Sequence, residues 1–427
     1  MKSSIKIVMM LSLPLVLGAH SMPELFHALI NHSQTKSDIM LVKKAEIYEN
    51  LANAKLYPKI NIFAKYDHYT TPSGMVPVPP NELLSMVKDP AVAQPFSQNI
   101  TREGVAFSMP LFMKSIFTMA EKAEAMQKSA QSKKDINLLK NEALIVGSNA
   151  NFIYLEALQN SLTTKENSLL ETKKTLQIKV RNGRAPASAL YKIDDGLNQI
   201  HIAKNTINLQ ERKLISMIYS LSGIKLKKPV AMSLYGEVDR KNGLASLEPL
   251  RKKIFADKLD MQAKKEKFYP TLFAQGSYVF SQGSAYNNDK NVNERYAKVG
   301  VVLNIPLLEM DNYSEISLSE VELKSSEVEL EKMRDELQSQ VEMLEESLPL
   351  LRNSVKLYKQ SIEDKKQLLK IAKLNYKSGR LSTEEYLRYE DDVVSVKAKL
   401  YKSEAEVIQT KMQLAVIYAN NIEEMIR

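Results

Sequence analysis

The apolar residues of the stretch 310–376 fall on a seven-residue rhythm. Val341, Leu348, Val355, Ile362 and Leu369 form one row. Leu323, Leu330, Leu337, Leu344, Leu351 and Tyr358 form a second row, three residues further on. Two such rows make the seam of a left-handed supercoil, and the interleaved Glu and Lys of the other faces stay wet. At about 1.5 Å per residue the stretch predicts a rod of roughly 100 Å, too long for one globular domain. Pro349 lies inside it and should cost about 3 kcal/mol or kink the helix; a kink and a break into two helices are both open. The same rhythm recurs in Leu155, Leu162, Leu169 and Leu176 within a helical stretch 112–180. It returns in Ile193, Ile200, Ile207, Leu214 and Leu221 over 186–222, and in Val393, Leu400, Val407 and Leu414 over 382–420.

Between these helices the period changes to two. A first helical pattern, 22–57, ends at Pro58, because proline disfavours helix in the residue before it. Ile60, Ile62, Ala64 and Tyr66 then alternate with Asn61, Phe63, Lys65 and Asp67, the pattern of a strand. The stretch 71–95, rich in proline and turn formers, predicts a loop. A second strand over 98–109 stops at Pro110, closing a β-hairpin 58–110. The same programme follows after an irregular stretch 225–243: helix 247–269, β-hairpin 270–306 bounded by Pro270 and Pro306, then the rod and the last helix. Gly183 matches Gly379 and Pro110 matches Pro306 at one common offset. The chain divides into two repeats, 22–223 and 224–427. Ten-residue strands with one apolar and one mixed face suit a membrane β-barrel. Four strands cannot close one, and lipid tolerates no open edge, so several chains must contribute. A soluble four-stranded lid is the alternative.

Composition fits long helices: of 427 residues only 13 are Gly, 7% are aromatic and 26% are charged. The net charge of +9 is spread through helices of alternating sign rather than gathered in a block, which does not suit nucleic-acid binding. The absence of Cys excludes disulfides, thiolate metal sites and an N-terminal lipoprotein cysteine. Lys2, Lys6, the short apolar run 7–18 and Ala19-His20-Ser21 read as a signal peptide over 1–21; an uncleaved anchor is the alternative. Export would place the chain in the periplasm, the outer membrane or outside. No enzyme constellation emerges, and no cofactor or metal is expected. The five His (20, 27, 32, 68 and 201) show no ligand spacing. The pairs Asp194-Asp195 and Asp391-Asp392 read as solvated helix surface. The turns at Gly183 and Gly379 are the functional candidates, because they end the rods far from the strands. Glycine gives each turn its backbone freedom. Ser382 or Thr383, followed by Glu384 and Glu385, reads as a helix cap with acids in the first turn.

The doubled order resembles the TolC-type outer-membrane efflux and secretion channel family over 22–418. It is carried by Leu56-Tyr57-Pro58 and Phe268-Tyr269-Pro270 at the hairpin entries, and by Met109-Pro110 and Ile305-Pro306 at the exits. Asn182-Gly183-Arg184 and Ser378-Gly379-Arg380 carry it at the turns. The resemblance implies a mainly α fold with membrane β: a coiled-coil helical barrel in the periplasm, continuous with a 12-stranded β-barrel shared by a homotrimer in outer-membrane lipid. It implies a passive exit duct for a tripartite efflux pump or type I secretion system, opened by a periplasmic adaptor and an inner-membrane pump. Adaptor contact then falls to Gly183, Arg184, Ser188, Gly379, Arg380, Ser382 and Thr383, and the pore gate to Tyr376, Glu385 and Arg388. Tyr376 sits where the family has a gating tyrosine, and Glu385 where it has a constricting aspartate. The chain departs from that pattern in three places. Arg388 replaces the next constricting acid, Ala189 stands where a bond-accepting Asp would be, and Arg380 is shifted by one. Rings of Glu385 and Arg388 could then form ion pairs between protomers. The competing function is an exported coiled-coil structural or adhesion protein without a pore. A periplasmic adaptor would need one helical hairpin flanked by β-rich domains, which this order lacks.

Overall fold

The computed structural model describes residues 20–89 and 91–426, and the signal-peptide expectation therefore lies outside the described residues apart from His20 and Ser21. The chain is mainly helical with one small sheet. It forms two compact units: one from residues up to 39 with 134–246 and 334–427, the other from 40–133 with 247–333.

The second unit holds the sheet. Strands β1 (Lys59–Gly74), β2 (Phe96–Phe112), β3 (Thr271–Ser284) and β4 (Asn291–Asn304) pair antiparallel in sequence order, leaving β1 and β4 as free edges. The register fixes the two faces. Ile62, Val105, Tyr278 and Ala297 share one cross-strand row, and Ile60, Phe107, Gly276 and Val299 the next. These two rows are apolar yet open: Ile62 is 86% and Val299 78% exposed. The opposite face carries rows such as Lys65, Arg102, Ser281 and Glu294, with the Arg102 guanidinium 2.7 Å from the Asp67 carboxylate. The stretch 71–95 is more ordered than a loop. β1 continues through a register shift to Gly74, and a short helix, α1 (Pro80–Val87), starts with proline in its first turn, where the missing N–H costs nothing. Asn287 in the β3–β4 turn donates to the Val92 carbonyl at 2.8 Å and accepts from the Gln94 N–H at 3.1 Å, pinning that segment.

Of the long helices, α2 (Lys114–Arg181) and α3 (Met310–Lys377) each run 68 residues unbroken and contribute to both units. Pro349 is accommodated inside α3 without a break. A helix α4 (Glu248–Lys265), flanked by 3-10 turns, docks beside both. Lys122 of α2 meets Asp260 at 2.8 Å, and Ser326 of α3 donates to Asp257 at 2.7 Å.

The first unit is built on the returning helices α5 (Ser188–Ser222) and α6 (Thr383–Ile417). Leu155, Leu162, Leu169 and Leu176 of α2 pack on Ile193, Leu197, Ile200 and Ile207 of α5, as their heptad spacing requires. Ile362 of α3 packs on Val396 and Leu400 of α6. A larger core gathers Met22, Leu25, Phe26 and Leu29 of helix α7 (Met22–Asn31) with Ile145, Ile218, Met412 and Ile422. The first helical pattern is two helices, not one: α7 ends at His32, whose extended backbone (ψ 162°) breaks it from α8 (Ser33–Ala54).

Candidate functional site at the two helix turns

Each long helix ends in the same six-residue device. Gly183 (φ +70°) and Gly379 (φ +75°) adopt the left-handed conformation that costs a Cβ-bearing residue strain. The Gly183 N–H donates to the Val180 carbonyl at 3.0 Å and the Arg184 N–H to Lys179 at 2.7 Å. The Gly379 N–H donates to Tyr376 at 3.1 Å and the Arg380 N–H to Asn375 at 2.9 Å. Both are Schellman closures, which satisfy carbonyls that a helix end would leave bare.

The two turns differ in how the next helix begins. At the α3–α6 turn, Ser382 is a side-chain cap. Its hydroxyl accepts from the Glu385 N–H at 3.2 Å, and the Glu385 carboxylate accepts from the Ser382 N–H at 3.0 Å, a complete capping box. The Ser382 N–H and then its hydroxyl hold the Glu385 carboxyl below its ordinary range. A bond from Lys192 does the same for Glu384, across a 2.6 Å ion pair from α5 to α6. At the α2–α5 turn, Ala187 occupies the cap position in helical geometry and makes no side-chain bond.

A polar cluster lies behind the capped turn. Tyr376 stacks on Tyr386 with ring centroids 4.9 Å apart, and the Lys179 ammonium of α2 lies 5.3 Å from the Tyr376 centroid. The Thr383 hydroxyl donates to the Tyr376 hydroxyl at 3.4 Å. The Tyr386 hydroxyl, buried, donates to the Glu390 carboxylate at 2.6 Å, and Ser168 of α2 donates to the same oxygen. Burial first, and then the Glu390 bond, push the Tyr386 phenol up to about 12, so it stays a donor. Lys165 pairs with Asp391, and its ammonium is held below the usual range by burial. One helix face thus ties α2, α3 and α6 together.

The structure gathers the expected residues selectively. Tyr376 and Thr383 belong to the cluster, while Glu385 is turned back into the cap. Arg388 makes no hydrogen bond or ion pair within the chain among the described residues, although its charge helps hold both Glu384 and Glu385 down. Gly183, Arg184, Gly379 and Arg380 build the two turns, and Ser188 opens α5. The paired aspartates lie on half-exposed helix surface, where Asp194 meets Lys173 at 2.5 Å and Asp392 meets Lys365 at 2.7 Å. Sequence reasoning missed Tyr386, Glu390, Ser168 and Lys165. Tyr386 lies seven residues before Val393, so carrying that row back one step would have found it.

No family model and no curated protein sequence matches the chain. Solved structures do. The Campylobacter jejuni CmeC outer membrane channel superposes with a TM-score of 0.77 at 13% identity, covering 93% of this chain and 84% of its own. The Vibrio cholerae outer membrane protein VceC gives 0.75 at 13%, covering 94% and 96%. The open-state Neisseria gonorrhoeae MtrE outer membrane channel gives 0.70 at 13%, covering 93% and 89%. At this identity the likeness establishes the fold: that of outer-membrane channel proteins.

Proposed function

We propose that this chain is one protomer of a trimeric outer-membrane channel, the passive exit duct of a tripartite efflux pump or type I secretion system. Three sheets would close a 12-stranded barrel in outer-membrane lipid, and the helices of the two repeats, 22–223 and 224–427, would continue it into the periplasm. A periplasmic adaptor coupled to an inner-membrane pump would open it at the turns, with Tyr376, Glu385 and Arg388 at the constriction.

The observation that carries this reading is the sheet: one face exposes the apolar rows of Ile60 and Ile62, the other mixes charged and apolar residues, and both edges are unpaired among the described residues. Water penalises such a face and lipid rewards it, while the free edges call for copies of the same strands. Exposed heptad rows support it: Met343, Leu350 and Leu357 on α3, and Ile202 and Leu209 on α5, stay more than half exposed among the described residues.

The test is reconstitution. The purified mature chain should fractionate with outer membrane, run as a heat-resistant trimer in detergent and give discrete conductance steps in a planar bilayer. A buffer-soluble monomer without conductance would overturn the reading.

A further inference from the structure

The segment that joins β1 to β2 lies against one particular face of the sheet. Residues two apart on a strand share a face. Ile100, Gly283 and Val292 form a cross-strand row on the same side as Arg102, Ser281 and Glu294, one step nearer the hairpin turns. Ile100 and Val292 are buried. They pack with Met75 and Ala93, from the two ends of the joining segment, and with Ala285 of the β3–β4 turn. The Ile60 and Ile62 rows lie on the opposite face and stay open.

This segment is tied down at two places. The Arg102 side chain, only 11% exposed, donates to the Asp67 carboxylate at 2.7 Å, the Tyr69 hydroxyl at 3.3 Å and the Gly74 carbonyl at 2.9 Å. The first two bonds hold the guanidinium in place, and the third fastens the chain where it leaves β1. Further along, Asn287 holds the Val92 carbonyl and the Gln94 N–H, and the Lys290 ammonium donates to the Ala91 carbonyl at 3.0 Å. The segment is therefore a strap, reaching from the end of β1 to the β3–β4 turn before it enters β2. The helix α1 rides on it, with Leu84 65% exposed. Two antiparallel strands can be joined by a two-residue turn, so connection alone accounts neither for the helix nor for the buried guanidinium.

We propose that the strap is the narrow point of the outer mouth and limits the cargo of the duct to small solutes rather than polypeptide. The inference rests on the channel reading: with the Ile60 and Ile62 rows against lipid, the opposite face lines the lumen and the strap stands inside it. Burial cost gives the same sidedness, because a face carrying Lys65, Asp67, Arg102 and Glu294 is not one that hydrocarbon accepts. Barrel width grows with strand number: about eight strands are filled by their own side chains, and about sixteen leave an aqueous channel. Twelve strands fall between. A helix about 10 Å across from each of three chains would narrow such a lumen to the gaps between the straps. The anchors all lie within the sheet and its turns, so the restriction is built into each protomer.

The experiment records single channels of the full mature chain in planar bilayers. The chain has no cysteine of its own, so Leu84→Cys places one reactive group on the strap. Modifying it with a bulky, water-soluble methanethiosulfonate should lower single-channel conductance, and the same reagent should leave the wild type unchanged. Complete modification, verified by mass, with no change in conductance would overturn the proposal. Arg102→Ala frees one anchor; Asn287→Ala combined with Lys290→Ala frees the other. Each should raise conductance and shift the exclusion of neutral polyethylene glycols to larger polymers. The second variant changes only turn residues, so it carries the test even where Arg102→Ala fails to assemble. An exclusion limit unchanged in the assembled turn variant would overturn the proposal. So would a wild type that already admits polymers as wide as an extended polypeptide. The same recordings separate the two readings: a conducting wild type with any of these contrary outcomes loses only the role of the strap, and a wild type that conducts nothing loses the channel and the strap with it.

Discussion

The α2–α5 turn and the α3–α6 turn share one backbone and almost none of its polar finish. Both close on a left-handed glycine with the same pair of hydrogen bonds. Beyond that they part: Ser382, Glu385 and Tyr376 of the second turn correspond to Pro186, Ala189 and Val180 of the first. The first turn relies on hydrophobic contact, with Val180, Ala189 and Leu190 against the α2–α5 seam. The second adds a capping box, a tyrosine stack and a buried carboxylate. The same turn geometry therefore stands at both sites, while side-chain hydrogen bonding is concentrated at one.

The sharpest test of that contrast removes Tyr386. Tyr386→Ala loses the stack on Tyr376 and the donor to buried Glu390, and should cost about 3–5 kcal/mol in denaturant unfolding. The matching Leu190→Ala, only partly buried, should cost less; equal losses would erase the distinction. Next in size, Gly183→Ala and Gly379→Ala should each cost about 1–2 kcal/mol. The two losses should be alike, because an added Cβ meets nothing within 4 Å at either site and only the dihedral resists it. Unequal losses would mean that the backbones are not equivalent. The smallest effect concerns the cap. Ser382→Ala should cost about 1 kcal/mol, whereas Ala187→Ser should gain nothing, since Ala187 is helical (φ −59°, ψ −29°) and cannot aim a hydroxyl at the first turn. The cap also carries a pH signature. Glu384 and Glu385 titrate below their ordinary 4.5 in the fold. Their contribution is thus complete above that value and fades as pH falls through the lower folded values. Hydrogen exchange, corrected for intrinsic rates, should show the first turn of α6 loosening in acid and that of α5 unchanged.

Much of this architecture is legible in the residues. The heptad leucines at 155, 162, 169 and 176 are buried against the isoleucines at 193, 200 and 207, because a seven-residue apolar spacing has one stable use in a helix pair. The two-residue rhythms lie within β1 and β3, and Pro58 and Pro270 stand just before those strands. Other features are hidden for physical reasons. The break at His32 has no proline or glycine to announce it. The helix at Pro80–Val87 is hidden among turn formers and too short to show a period. In the candidate site, glycine and cap signals are local and readable. The contacts of Ser168 and Lys165 with Glu390 and Asp391 span more than 200 positions, and polar pairs at such range leave no periodic trace.

The free rims of the sheet have a consequence for how the molecule comes into being. β1 and β4 run 16 and 14 residues with one flank of N–H and C=O groups unmatched, beside a face that prefers oil to water. A newly made chain therefore carries sticky edges. Under the proposed trimer, the interval before it meets sister chains is the stage at which aggregation competes, and any chaperone that escorts it should grip those rims first.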